Sequence, residues 1–383
     1  MMRRVAKANP FRYGALALDD SFTNRENELS ELTADVTNGQ DVVIFAPRRY
    51  GKSSLVWRAS QELVRGHDVL VAQVDLMTTP TREKLAEKLA QAIYEQLATP
   101  LFKAKERMRI FQGLRARPSI TVDPDDGTMT FTFTAARAPE DMDATLERLF
   151  ELPGRLAAER GRRVALVLDE FQEIVDIDRD LPKLMRSVFQ AQPEVAHVYL
   201  GSKRHMMEKI FSDEQEPFWR SAKRIELGVI EPAAFRPFLR KGFRSTGRSI
   251  DPATLDGLLE VTGGHPYATQ ELAYFLWQET PEGEEADQAR LDIALGRVLA
   301  SENSHFGLIW ERAAGAQRQL LQALAAETGR PLTNHYRRFH GLPGASSVQR
   351  ALETLEKQEL VARSGGDSWI AEPFFAEWVR RLE

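Results

Sequence analysis

Apolar positions along the chain keep two rhythms. As far as about residue 230, short continuous apolar runs alternate with longer stretches of helical period; from Pro232 the apolar runs stop and only helical periods remain, until two short runs near the C-terminus. The runs predict five strands: Val42 to Phe45, Val69 to Leu76, Val164 to Leu168, Val198 to Leu200 and Arg224 to Leu227. Most are apolar at successive positions, the pattern of parallel strands buried on both faces. Between them the period predicts a helix from Asn24, as its cap, to about Asn38, stopped by Gly39. Further helices are expected after Gly51, over about 81–98 and over about 140–159. Five strands alternating with helices make a parallel three-layer α/β sandwich, which takes ligand at the carboxyl ends of its strands. One stretch breaks the alternation. Ser119 to Val122 and Met129 to Thr134 alternate in period two around Asp123-Pro124-Asp125-Asp126-Gly127, a hairpin signal, so residues 101–138 read as an insertion.

Beyond Pro232, Phe235, Phe238, Leu239 and Phe243 form one apolar helical stripe, while Arg236, Arg240 and Arg244 line another face, read as solvated in preference to a contact for phosphate or a partner's acids. Asp251-Pro252 opens a helix as cap and first-turn proline, and Gly263-Gly264-His265-Pro266-Tyr267 separates it from the next. A helix over about 288–300 completes a small all-α module where a lid would be. From Phe306 the order is helices over about 307–315, 317–327 and 346–358, then Leu360 to Arg363 and Asp367 to Ile370 pairing across Ser364-Gly365-Gly366, then a closing helix from Phe374 to Leu382. That order predicts a winged helix, its third helix burying Val348, Ala351, Leu352 and Leu355. Three domains follow, 1–230, 231–305 and 306–383. Arg350 and Lys357 on the third helix face Glu353, Glu356 and Glu359, an acidic balance that argues against sequence-specific DNA reading, although Arg337 and Arg338 lie in the loop before it.

Composition narrows the class. A charged fraction of 28%, with no apolar run near the roughly 18 residues of a membrane span, describes a globular protein with no membrane partner. Basic Met1 to Lys7 has no apolar stretch behind it, so no secretory signal is expected, and a cytoplasmic location fits. With no cysteine, disulfides and thiolate metal sites are excluded, and the seven histidines show no ligand spacing. A formal charge of −5 restricts any nucleic-acid contact to local patches. One basic run, Lys103, Lys105, Arg107, Arg109, Arg115 and Arg117 against Glu106, reads as a solvated helix face in preference to an anion-binding patch.

The chemistry lies at two strand ends. After Val42 to Phe45 comes Ala46-Pro47-Arg48-Arg49-Tyr50-Gly51-Lys52-Ser53-Ser54, a turn ending in Gly-Lys-Ser before a helix. That is the grammar of a phosphate-binding loop, in which backbone N–H groups and a helix N-terminus wrap a polyphosphate, the lysine reaches its β- and γ-phosphates and the serine hydroxyl meets Mg²⁺. Ala46 replaces the usual first glycine, which requires its φ to stay negative; Gly51 is the position that should not change. The strand ending in Leu168 is followed by Asp169-Glu170. In such ATPases one carboxylate there joins the Mg²⁺ shell and a second polarises the attacking water, roles that fall to Asp169 and Glu170. Ser202, at the tip of the next strand, is a candidate sensor that orients water or touches the γ-phosphate.

Together these residues resemble the AAA+-like P-loop ATPases of the STAND group, specifically the archaeal and bacterial ATPase family with a C-terminal winged helix. The markers are Phe22-Thr23-Asn24-Arg25-Glu26, Pro47 to Ser53, Leu168-Asp169-Glu170-Phe171-Gln172, Arg220 in Phe218-Trp219-Arg220, and Gly264-His265-Pro266-Tyr267. The resemblance implies a sheet order 5-1-4-3-2, Phe22 and Arg25 near the adenine, Pro266 packed on the base, His265 near the phosphates, and Arg220 as an arginine acting within the subunit or toward a neighbour. It implies ATP or ADP with Mg²⁺, a switch that couples nucleotide state to the winged helix, and a nucleotide-dependent homo-oligomer. The partner of the winged helix, protein or DNA, stays open. The alternatives are an ATP-gated DNA-binding protein with Arg337, Arg338 and the 103–117 run as footprint, and an ADP-locked scaffold with little turnover. No Asn-Lys-x-Asp guanine-reading segment is present, which disfavours a GTPase.

Overall fold

The computed structural model describes residues 8–16, 22–97, 111–123, 129–133 and 139–382. The stretch holding Lys103, Lys105, Arg107 and Arg109 and the tip of the expected hairpin lie outside the described residues, as do Met1 to Lys7. Two compact units are formed. One comprises Arg25–Arg48 and Lys52–Leu227; the other comprises the N-terminal segment to Asn24, the three residues Arg49–Gly51, and Gly228–Glu383.

The first unit is built on five parallel strands: β1 (Val42–Phe45), β2 (Leu70–Asp75), β5 (Val164–Asp169), β6 (Val195–Gly201) and β7 (Lys223–Glu226), with the hairpin β3 (Ser119–Val122) and β4 (Met129–Thr132) inserted after β2. Their order is β7-β1-β6-β5-β2, the expected 5-1-4-3-2 when the hairpin is left out of the count. Parallel pairing gives register Ile44 to Leu200 and Asp75 to Asp169, so the strand ends line up along one edge. All four residues of β1 and all seven of β6 are buried. Strand residues alternate between faces. Val43, Phe45, Leu166, Leu168 and Tyr199 join one apolar core with Leu85, Leu89, Leu146, Phe150 and Met185 from the helices Arg82–Ala92, Pro139–Arg160 and Leu181–Phe189. The alternate residues, Val42, Ile44, Ala165, Val167 and Val198, are equally buried outside that core, as are Leu55, Val56, Ala59 and Leu63 of the helix Lys52–Gly66. The result is the three-layer P-loop sandwich.

In the helix Glu26–Thr37 the capping position is held by Arg25, not Asn24. Both residues have positive φ, 57° and 83°, and the Arg25 side chain does not cap the helix. Arg25 instead turns inward, buried, to pair with Glu28 at 2.7 Å. The expected helix over 81–98 is α-helical to Ala92 and then widens into a π-turn over Ile93–Leu97.

In the second unit, the helices expected at 288–300 and 307–315 are one 25-residue helix, Gln288–Arg312. The apolar stripe Leu291, Leu295, Val298 and Leu299 continues to Phe306 with nothing to break it. A single core joins Phe235, Leu239 and Phe243 to Leu272, Leu276, Leu320, Leu355 and Phe375, so the helical segment and the winged helix are packed together. The winged helix itself is Gly315–Ala326, Asn334–Phe339, Ala345–Lys357, the hairpin Val361–Ser364 with Asp367–Ile370, and Pro373–Arg380. Arg337 and Arg338, expected in a loop, stand on the short helix Asn334–Phe339, capped by Thr333. The wing gains a bridge from Gly329 to Ser368. A Cβ at Gly329 would lie 2.7 Å from the Tyr336 ring, so the glycine gives that ring room.

Candidate nucleotide site

The first unit gathers its chemistry at the carboxyl ends of β1, β5 and β6. Gly51 has φ of 87°, a conformation that costs a side-chain-bearing residue strain, whereas Ala46 keeps a negative φ, as the sequence required. Lys52 begins its helix with an otherwise uncharged first turn. Its side chain is buried, and its ammonium donates to the Ala46 carbonyl at 2.9 Å and the Pro47 carbonyl at 3.1 Å. The same charge draws both Asp169 and Glu170 downward in pKa, which places lysine and acid pair in one electrostatic neighbourhood. Ser53 follows, half-buried, and Ser54 is buried; Pro47 is half-buried and Arg48 is exposed.

The two acids are treated differently. Asp169 ends β5 opposite Asp75, and its Oδ1 accepts from the Glu170 backbone N–H at 2.9 Å. Burial, then the charges of Glu170 and Asp75, hold Asp169 above the ordinary carboxylate range against the pull of that N–H and Lys52. Glu170 turns out of the strand at φ 51°. Burial pushes its carboxyl up, but hydrogen bonds from Gln172 and Ser202 with the charge of Lys52 outweigh it and leave Glu170 below its usual value. The Ser202 hydroxyl donates to Glu170 Oε2 at 2.7 Å, so the residue expected to address water or phosphate touches the catalytic candidate itself. A hydroxyl and carboxylates with surplus negative charge suit a hard, oxygen-seeking divalent ion, so the donor set of Ser53 and Asp169 fits Mg²⁺.

Arg220 stands apart. It is exposed at φ 48°, its backbone N–H bound to the Phe211 carbonyl at 3.2 Å and its guanidinium 5.0 Å from the Trp219 ring. Among the described contacts none joins its side chain to Lys52, Asp169 or Glu170.

The remaining sequence-named residues belong to the second unit. Phe22 is half-buried. His265 caps the helix Pro266–Glu279, its Nδ1 accepting from the Ala268 N–H at 3.2 Å, with Pro266 as the first-turn proline. Burial, then the charge of Arg49, lowers its pKa to about 4. At neutral pH the ring is therefore uncharged, and with Nδ1 accepting, the proton sits on Nε2. Tyr50 meets the His265 ring edge-on at 4.7 Å. Gly264, at φ 71°, lies so close to the Ile230 carbonyl that a Cβ there would be 2.2 Å from its oxygen, and glycine is required on both counts.

A family model described as an ATPase domain predominantly from Archaea matches residues 22–272, and one described as a probable winged helix domain matches 304–381. The chain belongs to this archaeal-type ATPase family. A search of curated proteins finds no match. Among solved structures, the Walker-type ATPase PABY2304 of Pyrococcus abyssi superposes with a TM-score of 0.66 at 17% identity, covering 95% of this chain and 97% of its own. The Orc1 protein of Aeropyrum pernix, solved in complex with DNA, superposes at 0.50 and 12% identity, covering 97% of each chain. The ADP form of Orc2 from the same organism gives 0.50 and 15%, covering 94% and 95%. At these identities the likenesses speak to fold, and they agree with the strand order and the C-terminal winged helix.

Within this ATPase-family chain, sequence reasoning gave no role to three contributors. Asp75 was hidden because only the β2–β5 register sets it beside Asp169. Gln172, wholly buried, reaches back to Glu170, and Lys203 pairs with Glu173 at 2.8 Å. An amide two residues past an acid pair was the available signal for Gln172; nothing marked Lys203.

Proposed function

We propose that this protein is a Mg²⁺-dependent ATP-binding and hydrolysing switch whose nucleotide state is passed to the winged helix. The observation that carries the reading is that Lys52, after β1, acts electrostatically on both Asp169 and Glu170 at the end of β5, with β6 and its Ser202 between the two strands. Lys52, released from its two carbonyls, neutralises the β- and γ-phosphates, and the helix it begins adds its N-terminal dipole. Ser53 and Asp169 would hold Mg²⁺, whose part is to neutralise charge on the phosphate oxygens. Glu170, kept ionised by its hydrogen-bond donors, orients the attacking water, and Ser202 and Gln172 fix its direction. Phe22, Arg25, Arg48, Ser54 and Pro266 complete the nucleotide contacts. A neutral His265 would meet phosphate as an Nε2–H donor and not as a cation. Arg220, whose guanidinium meets only Trp219 among the described contacts, suits an arginine finger toward a second copy, and a nucleotide-dependent homo-oligomer follows.

Calorimetry tests the core of this: Lys52→Ala abolishes ATP and ADP binding, whereas Glu170→Gln binds ATP and does not turn it over. Equal ATP affinity in wild type and Lys52→Ala would sink the reading. Mass in solution with ADP and then with a slowly hydrolysed ATP analogue tests the finger, since an unchanged monomer rules out its action in trans. DNA is the second reading for the partner, favoured by Arg338 and the 72% exposed Phe339 on the short helix of the winged helix. A steep loss of DNA affinity with salt, relieved by changing Arg337 and Arg338, would support it.

A further inference from the structure

Arg49 belongs to the phosphate-binding loop by sequence, three positions before Lys52, yet its guanidinium is committed elsewhere. The residue is held at φ 67°. Its guanidinium carbon lies 4.4 Å from the centroid of the Tyr267 ring, and its Nη1 is 3.5 Å from Glu372 Oε2. Glu372 caps the closing helix Pro373–Arg380 of the winged helix, accepting from the Phe374 N–H at 3.4 Å. Around this contact the second unit is acidic. Glu271 is buried on the helix Pro266–Glu279, and Glu302 acts on both Glu271 and Glu372. For Glu271 and Glu372 alike, Arg49 is the cation that opposes this accumulation of negative charge.

The contact is made to be broken. It is a single long approach, not a two-pronged one, and half the Arg49 side chain is exposed. A guanidinium recognises phosphate with the same fork it offers a carboxylate. We propose that Arg49 is a latch between nucleotide and winged helix: a polyphosphate seated at Gly51 and Lys52 and the carboxylate of Glu372 compete for this one guanidinium. Nucleotide draws Arg49 away from Glu372, leaves the acidic cluster without its counter-charge, and loosens the N-terminal end of the closing helix. Linkage makes the effect reciprocal, so whatever frees Arg49 from Glu372 tightens nucleotide binding. The inference rests on the nucleotide site proposed above and names one route by which its state leaves the loop.

The test is a thermodynamic cycle on the full chain, read as the dissociation constant of a fluorescent, slowly hydrolysed ATP analogue. Glu372→Gln, which keeps a capping oxygen and removes the charge, should tighten binding by roughly two- to fivefold, the scale of an exposed ion pair. In an Arg49→Ala background the same change should have no effect. An unchanged constant in Glu372→Gln, or a gain that persists without Arg49, overturns the latch while leaving the nucleotide site intact. Binding that is absent in wild type, or indifferent to Lys52→Ala, overturns both. Should Glu372→Gln not fold, hydrogen exchange on wild type decides: the analogue should speed exchange of the amides of residues 374–376, and unchanged protection there rejects the proposal.

Discussion

Two glutamates, Glu170 in the α/β unit and Glu271 in the helical one, are both withdrawn from water, and their carboxyls go opposite ways. Glu170 accepts from the hydroxyl of Ser202 and the amide of Gln172, feels the charge of Lys52, and stays easily ionised. Glu271 is 4% exposed with no hydrogen bond on its carboxylate among the described contacts. Burial, then the charges of Glu372 and Glu302, raises it to about 7 against the pull of Arg49. Burial alone always disfavours the charged form; supplied donors reverse the outcome. The ends of β5 and β6 supply them to Glu170. Among the described residues the acidic cluster has Arg49 as its counter-charge, paired with Glu372 and without a hydrogen bond to Glu271, and is correspondingly sensitive to whatever happens to it.

The comparison breaks most decisively at Glu170. Glu170→Gln should lower steady-state ATP turnover by about 10²- to 10⁴-fold, the range for a positioned base, with ATP affinity retained in calorimetry. Turnover that survives the change would reduce the donor shell to a structural detail. Next in size is Glu271→Gln. Because burial raises the folded-state pKa of Glu271 above its ordinary 4.5, the stability at stake is present below that value and is lost as pH rises through about 7. The variant should therefore match wild type in urea unfolding near pH 4.5 and exceed it by roughly 2–3 kcal/mol at pH 8.5. A gain independent of pH would mean that packing, not charge, is responsible.

Ser202→Ala sharpens the contrast from the other side. Glu170 loses a donor and its pKa rises. The stability contributed by a depressed carboxyl is present above its unfolded value and lost as pH falls, so the acid limb of the turnover profile should move to higher pH. The cost to stability should be about 1 kcal/mol. An unmoved acid limb would assign the depression to Gln172 and Lys52. The smallest effect serves as a baseline far from both acids: Asp251→Ala removes the cap that accepts from Thr254 N–H at 3.0 Å and should cost about 1 kcal/mol or less in thermal unfolding, with nucleotide affinity unchanged.

Much of this was legible in the chain. The run Val42 to Phe45 is legible to the residue because burial on both faces leaves no polar position to blur its limits. The loop after it was recognisable because its glycine, lysine and serine each have a chemical reason for their place. The errors have physical causes too. Asn24 is a good capping residue, but Arg25, itself buried, has an acid partner in Glu28, and that pairing took precedence over the capping preference. The separation of Gln288–Arg312 into two helices was forced on a stripe whose period never lapsed. Six residues are too few for helical period to show, so the sequence pattern leaves Arg337 and Arg338 in a loop; Thr333 as cap and the Tyr336 ring against Gly329 make the helix.

By itself, then, the sequence determined the alternation of strand and helix, the phosphate loop, the acid pair and the winged helix, since each is written in residues that are neighbours along the chain or recur at a fixed period. Tertiary structure alone decided which groups share a field: Asp75 beside Asp169, Ser202 on Glu170, and Arg49 held by Tyr267 and Glu372. Those partners lie from 32 to 323 positions apart in the chain. The pKa of a carboxyl, and the direction in which an arginine points, depend on distances in space that only the packed strands and helices establish.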